Sequence, residues 1–193
     1  MTPQQIYALV GLSVTNPPAA AQRVIGADLS RNTLWMGLLL ISVLQTLLFS
    51  TLPDQFRLPE QMQPIVNNPL LMAMVIAGGI SIIAFVLNWS GTLIGGAGNL
   101  SPVLAVMAWM QFLRLLGTLV SIVLGVLIPT LGALASLAFG VFGIYIFVSF
   151  IDVALSFNSR LKSLFLIVFS FLAVSFGTSF VLALVAALVL GMG

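Results

Sequence analysis

The sequence predicts an all-α, polytopic membrane protein: a bundle of five transmembrane helices preceded by short interfacial helices. Five long apolar runs take up most of the 193 residues, and nearly every one contains an uncharged stretch long enough to cross a bilayer. Charged residues make up 5% of the chain against 61% hydrophobic residues, too little charged surface to keep a water-soluble globule apart from its neighbours. Neither end offers enough polar sequence for an independent soluble domain, and the longest loop, Pro53 to Asn68, is rich in proline and amide residues. The chain therefore divides into an N-terminal amphipathic segment, residues 1–32, and one five-helix domain, residues 33–193.

Each element follows from local chemistry. A capping side chain followed by proline marks a helix start, because proline lacks an N–H that the first turn could not use anyway. The pair occurs at Thr2-Pro3, Asn16-Pro17, Asn68-Pro69 and Ser101-Pro102. Thr2 with Gln5 also matches a capping box, so Pro3 to Val14 reads as a short helix with Ile6, Leu9, Val10 and Val14 on its apolar side. Such a segment lies in the interface rather than spanning it. A second short helix runs from Pro17 to about Ala27. A span needs about 20 apolar residues to cover roughly 30 Å of hydrocarbon. The five spans are expected at about 33–52, 70–94, 102–128, 131–155 and 164–190, the first entered through Trp35 near the interface. The turn Gly95-Gly96-Ala97-Gly98-Asn99 follows the second, and Pro129 stops the third.

Positive residues resist translocation, so Lys and Arg near the spans set orientation. Arg23 and Arg31 precede the first span, and Arg160 and Lys162 lie between the fourth and fifth; an odd number of spans places both groups on the inner side, with Asp54, Arg57 and Glu60 outside. The expected topology is a cytoplasmic N-terminus and a C-terminus on the opposite side. Met1 to Ala20 has no positive n-region and no continuous apolar core before Asn16-Pro17-Pro18, so it is not expected to be a cleaved secretory signal.

Several function classes are excluded. The chain has no cysteine and no histidine, which removes thiolate nucleophiles, disulfides, imidazole ligation of haem and the usual zinc sites; no cofactor is expected. The sequence pI near 9.7 rests on a net charge of only +2 with no basic run, so it points to juxtamembrane orientation rather than nucleic acid. The Gly95–Gly98 turn lacks the Gly-Lys-Ser/Thr ending of a phosphate loop, the serines sit in no nucleophile elbow, and five spans do not divide into the equal inverted halves common in transporters.

The spans contain two kinds of inner-surface signal. Small residues recur at spacing four in Ala73, Ala77 and Ser81; Gly91 and Gly95; Gly117, Ser121 and Gly125; Gly132, Ser136 and Gly140; and Ala183, Ala187 and Gly191. These permit close helix packing where lipid is as apolar as leucine. Gln45 must find a partner in the bundle. Arg114 stands about 18 Å along the third span, where a charge costs at least ~2.5–3.5 kcal/mol unless solvated or paired. It is expected to face inward, with Gln111, Thr118, Ser121 and Gly125 on the same face. Its best carboxylate partner is Asp152, aligned with Tyr145, Ser149 and Ser156 on the fourth span. The two differ in depth by roughly 13 Å, a gap narrowed by side chains leaning toward each other. Asn88 could complete the set. The candidate intramembrane polar cluster is thus Asn88, Gln111, Arg114, Tyr145, Ser149 and Asp152. It is open to three readings: a structural clasp, a cavity binding a headgroup, ion or solute, and catalysis, the last poorly served by one Asp, one Arg and no His. Asp152 could instead pair with Arg160 or Lys162.

With five spans, an inner N-terminus, a Gly-Gly-x-Gly turn after the second span and the stretch Ala108-Trp109-Met110-Gln111-Phe112, the chain from about Asn16 onward resembles the Yip family, whose eukaryotic founders are Ypt/Rab-interacting proteins. It looks most like the bacterial branch, because Asp28-Leu29-Ser30 is too short to match the acidic Asp-Leu-Tyr-Gly-Pro-type segment of eukaryotic members. The resemblance implies a non-enzymatic protein of membrane organisation or trafficking in a bacterial inner membrane, with no catalytic residues to carry over. Its implied partners are the lipid bilayer, a membrane protein or a second copy of the chain; binding of a Rab-type GTPase is not expected. The alternatives are a channel or transporter running past Asn88, Arg114 and Asp152, and an accessory subunit of a larger membrane complex.

Overall fold

The computed structural model describes residues 2–50 and 67–191, with side chains as far as Phe180. Most of the loop from Pro53, with Asp54, Arg57 and Glu60, lies outside the described residues, as do the packing contacts of Ala183, Ala187 and Gly191. Among the described residues the elements are α1 (Pro3–Thr15), α2 (Pro17–Ile25), α3 (Arg31–Ser50), α4 (Pro69–Leu93), α5 (Leu100–Leu127), α6 (Pro129–Leu155) and α7 (Arg160–Gly191), with no strand. Helices α3 to α7 are each long and apolar enough to span a membrane; in α7 the qualifying stretch is Arg160–Phe180.

The helix ends show how closely local chemistry sets the boundaries. Thr2 and Gln5 form the full capping box of α1, Asn16 Oδ1 accepts from Ala19 N at 3.3 Å, and Asn68 Oδ1 accepts from Leu71 N at 3.1 Å. The fourth expected cap is displaced: α5 begins at Leu100, capped by Asn99 Oδ1 to Ser101 N at 3.1 Å, so Pro102 sits inside the first turn. Proline is tolerated there because none of the first four N–H groups has an acceptor within the helix. Pro129 likewise opens α6 rather than only closing α5, leaving Ile128 as the single residue between them. At the end of α4, Gly96 N donates to Gly91 O and Gly95 N to Thr92 O, a Schellman motif with Gly95 at φ +90°, a backbone conformation that glycine adopts without a Cβ clash. The end of α6 repeats the motif with Ser156 at φ 56°.

The spans form a closed ring in the order α3, α4, α7, α6, α5, with α4 also touching α5 across it. Arg31, Leu93, Leu100, Leu155 and Arg160 share one end, called basal here. The core concentrates in that half, where Leu87, Val103, Leu104, Phe150, Ile151 and Leu155 are almost fully buried. Toward the other end α5 and α6 leave Val123, Leu127, Leu134 and Leu137 exposed, an apolar surface suited to lipid contact.

Helices α1 and α2 dock on the basal core, against α5 and α6. Their buried residues are Leu9, Ser13, Ala20, Ala21 and Val24. The apolar side expected for α1 is therefore rotated: Val14 is exposed, while Ser13 is buried because its hydroxyl meets the Trp109 indole.

The tightest contact closes the α5–α6 hairpin. A Cβ on Gly132 would meet the backbone of Gly125 and stand 2.9 Å from Ser121 O, and one on Gly117 would stand 3.2 Å from Phe139 Cγ. At Gly132 and Gly125 the two helices thus meet backbone against backbone, the close approach that favours association in lipid. Gly132→Ala should lower stability in detergent by about 1–3 kcal/mol, because the strained contact is with backbone and cannot relax by rotamer change. Gly37→Ala, whose Cβ would meet nothing within 4 Å, should be tolerated. Thermal unfolding followed by circular dichroism checks both.

Candidate functional site

The polar residues expected to form one cluster are not brought together: Gln111, Tyr145, Ser149 and Asp152 are engaged separately, and Arg114 and Asn88 stand apart from them. Gln111 takes the partner that Gln45 needed: Gln45 Nε2 donates to Gln111 Oε1 at 3.1 Å and reaches its carbonyl oxygen at 3.4 Å, joining α3 to α5. The Gln45 side chain is almost fully buried, with Ser42 and Thr46 beside it donating back to carbonyls of α3.

Asp152 does not reach Arg114. Its Oδ1 accepts from Ser159 N at 2.8 Å and from the buried Ser163 hydroxyl at 3.1 Å, so the carboxylate crosses the α6–α7 turn and caps α7. A carboxylate there meets unsatisfied N–H groups and the positive end of the helix dipole, which are closer than a guanidinium some 13 Å away in depth. No ion pair forms with Arg160 or Lys162 among the described residues; Arg160 instead lies over the Tyr145 ring, 5.5 Å from its centroid. Tyr145 is 45% exposed, and Ser149 is buried with its hydroxyl donating to Tyr145 O at 3.0 Å.

Arg114 departs most from expectation. It lies at the middle of the 28-residue α5 and is exposed rather than turned into the bundle. Among the described residues its guanidinium makes no hydrogen bond or ion pair; only its backbone carbonyl is engaged, by Thr118 Oγ1 at 2.9 Å. Helical phase puts Arg114 on the same stripe as Val103, Met107, Ser121 and Gly125, all buried, so the sequence pattern pointed to a packed seam. The seam opens at this one level. The Gly117–Phe139 and Gly125–Gly132 contacts set an antiparallel register that brings Arg114 level with Gly143, and a Cβ on Gly143 or nearby Gly140 would meet nothing within 4 Å. Among the described residues, Asn88 Oδ1 is buried without a hydrogen-bond partner.

Two joints escaped the sequence reading. Trp109 Nε1 donates to Ser13 Oγ at 2.9 Å, tying α1 to α5, and the hydroxyls of Ser90 and Ser170 lie 3.1 Å apart between α4 and α7. A lone serine in an apolar helix carries little signal, because its hydroxyl can always return to its own helix, as Ser90 also does to Val86 O.

Chemically, the described polar side chains make hydrogen bonds within and between helices, and the one hydroxyl that donates to a carboxylate, Ser163 to Asp152, is fully buried. Asp152→Ala should cost about 1–2 kcal/mol through the lost cap and free the start of α7, seen as faster amide exchange at Ser159 and Ser163. Asn88→Leu should be neutral or stabilising in thermal unfolding, since it removes a buried acceptor that gains nothing in the folded state.

No curated protein and no solved structure matches the chain. A family model described as the Yip1 domain matches residues 11–183, from within α1 through the described spans into α7. The matched region includes the Gly95–Gly98 turn, Trp109 and Gln111, two of which hold α1 and α3 to α5. The chain belongs to the Yip1 domain family.

Proposed function

We propose that the protein is a non-enzymatic organiser of membranes that acts by holding lipids or partner membrane proteins against its spans and its basal surface. One observation carries this reading. Most polar side chains of the spans are engaged in joints between or within helices, and the charged one that is not, Arg114, is exposed on the bundle rather than lining a shared interior path. A pathway through Asn88, Arg114 and Asp152 would need them to share one lining, and the Asp152 carboxylate is instead taken up at the basal turn.

The exposed cations Arg23, Arg31, Arg160 and Lys162 all belong to the basal end, against Asp28 and the capping Asp152. That asymmetry favours a cytoplasmic basal end, and a cationic face there would attract anionic headgroups at about 1 kcal/mol per basic residue near the surface. Together with the missing acidic segment at Asp28-Leu29-Ser30, it supports a bacterial cytoplasmic membrane and a partner other than a Rab-type GTPase.

Purification in a mild detergent followed by native mass analysis tests the proposal. The expected result is co-isolation with bound lipid, a membrane partner or a second copy. A lone, lipid-free monomer would contradict it.

A further inference from the structure

We infer that the Arg114 level of the α5–α6 seam docks a transmembrane helix of another protein, one that carries a carboxylate at mid-bilayer. The inference rests on the organiser reading and supplies the chemistry of the partner.

Arg114 stands at the midpoint of a helix that is longer than the hydrocarbon layer is thick, so a side chain reaching about 6 Å toward either surface still ends among acyl chains. Exposed there and without a hydrogen-bonding partner among the described residues, the guanidinium needs an anion brought to its own level.

This chain has none to offer a second copy. Its four side-chain carboxylates are Asp28, Asp54, Glu60 and Asp152; the first precedes the first span, the next two lie between the first and second predicted spans, and the fourth is bonded to Ser159 and Ser163 at the basal turn. Two copies meeting at this seam would bring Arg114 against Arg114. A lipid phosphate would have to sink from the headgroup layer through several ångströms of hydrocarbon, whereas a carboxylate on a crossing helix already sits at depth. Arg is also well shaped for such a pair, since its planar fork binds a carboxylate through two parallel hydrogen bonds.

Shape agrees with charge. Gly143, level with Arg114, and Gly140, about one turn from it, have open space where a Cβ would stand, and Gly140 is exposed. Farther out along α6, Gly132 is filled by its contact with Gly125, so the small-residue row of α6 changes from occupied to vacant toward the level of the exposed charge. A vacant row of small residues lets a second helix backbone approach closely.

The test reconstitutes the full chain in phosphatidylcholine vesicles with dye-labelled leucine–alanine transmembrane peptides carrying Glu, Leu or Lys at the centre, and reads association by energy transfer. The Glu peptide should bind roughly tenfold more tightly than the Leu peptide, in the range that interhelical polar contacts reach in model peptides, and the Lys peptide more weakly than either. Arg114→Leu should abolish the preference, and Arg114→Glu should turn it toward the Lys peptide. The wild-type comparison among peptides does not depend on any variant folding. Equal binding of the Glu and Leu peptides would overturn the site, as would loss of the Glu preference in phosphatidylglycerol vesicles, which would make lipid phosphate the counter-ion, or a dimer that survives Arg114→Glu and excludes the peptide. If the peptides fail while the native protein still co-isolates with lipid, the Arg114 site falls and the organiser reading stands.

Discussion

Hydrocarbon offers neither a hydrogen bond nor solvation to a polar group, and that single constraint shapes this protein from its backbone outward. It requires backbone groups to be satisfied within helices, as they are from α3 to α7. It also removes the usual drive for apolar side chains to collapse together, so helices cohere through close backbone approach and a few buried polar contacts. Glycines meet where α5 turns into α6, and hydrogen bonds link α3 to α5, α4 to α7 and α1 to α5. The joints are few because each buried polar group must find its partner inside the bundle.

The basal end is where water relaxes the constraint, and the architecture changes there accordingly. Turns are dense, with two Schellman endings, and Ala97 N donates to Leu155 O at 2.9 Å, so the α4–α5 turn rests on the end of α6. Gly91 and Gly96 make that seating possible, since a Cβ at either would come within 2.8 Å of Leu155 or Phe157. Helices α1 and α2 cover the same region, and the cations gather around it. A well-buried, cationic base under an exposed apolar canopy suits the proposed role of contact with lipid and other membrane proteins.

The fold was legible because length and hydropathy are properties of whole segments, insensitive to any one residue. All five spans stand within a few residues of their expected places, the largest difference being the earlier start of α7 at Arg160. The polar cluster was not legible in the same way. Depth and helical phase could pair Gln45 with a polar neighbour in general terms, but not name Gln111. They favoured Arg114 with Asp152 because both are charged, while the decisive competitor for Asp152 was the start of α7, a partner made by the turn itself. Arg114 misled for a related reason: its stripe is buried above and below, and only the vacancy at Gly140 and Gly143 breaks the pattern. A helical wheel registers the glycines as small but not that their space is empty.

Crossing the membrane an odd number of times, with the cations held to one side, is the premise beneath all of this. Because the chain has no native cysteine, single introduced cysteines report sidedness without background. Gly26→Cys and Leu161→Cys should react with an impermeant maleimide only from the cytoplasmic side, and Thr130→Cys, at the α5–α6 turn, only from the other. Labelling of positions 26 and 130 from the same side would contradict the five-span arrangement.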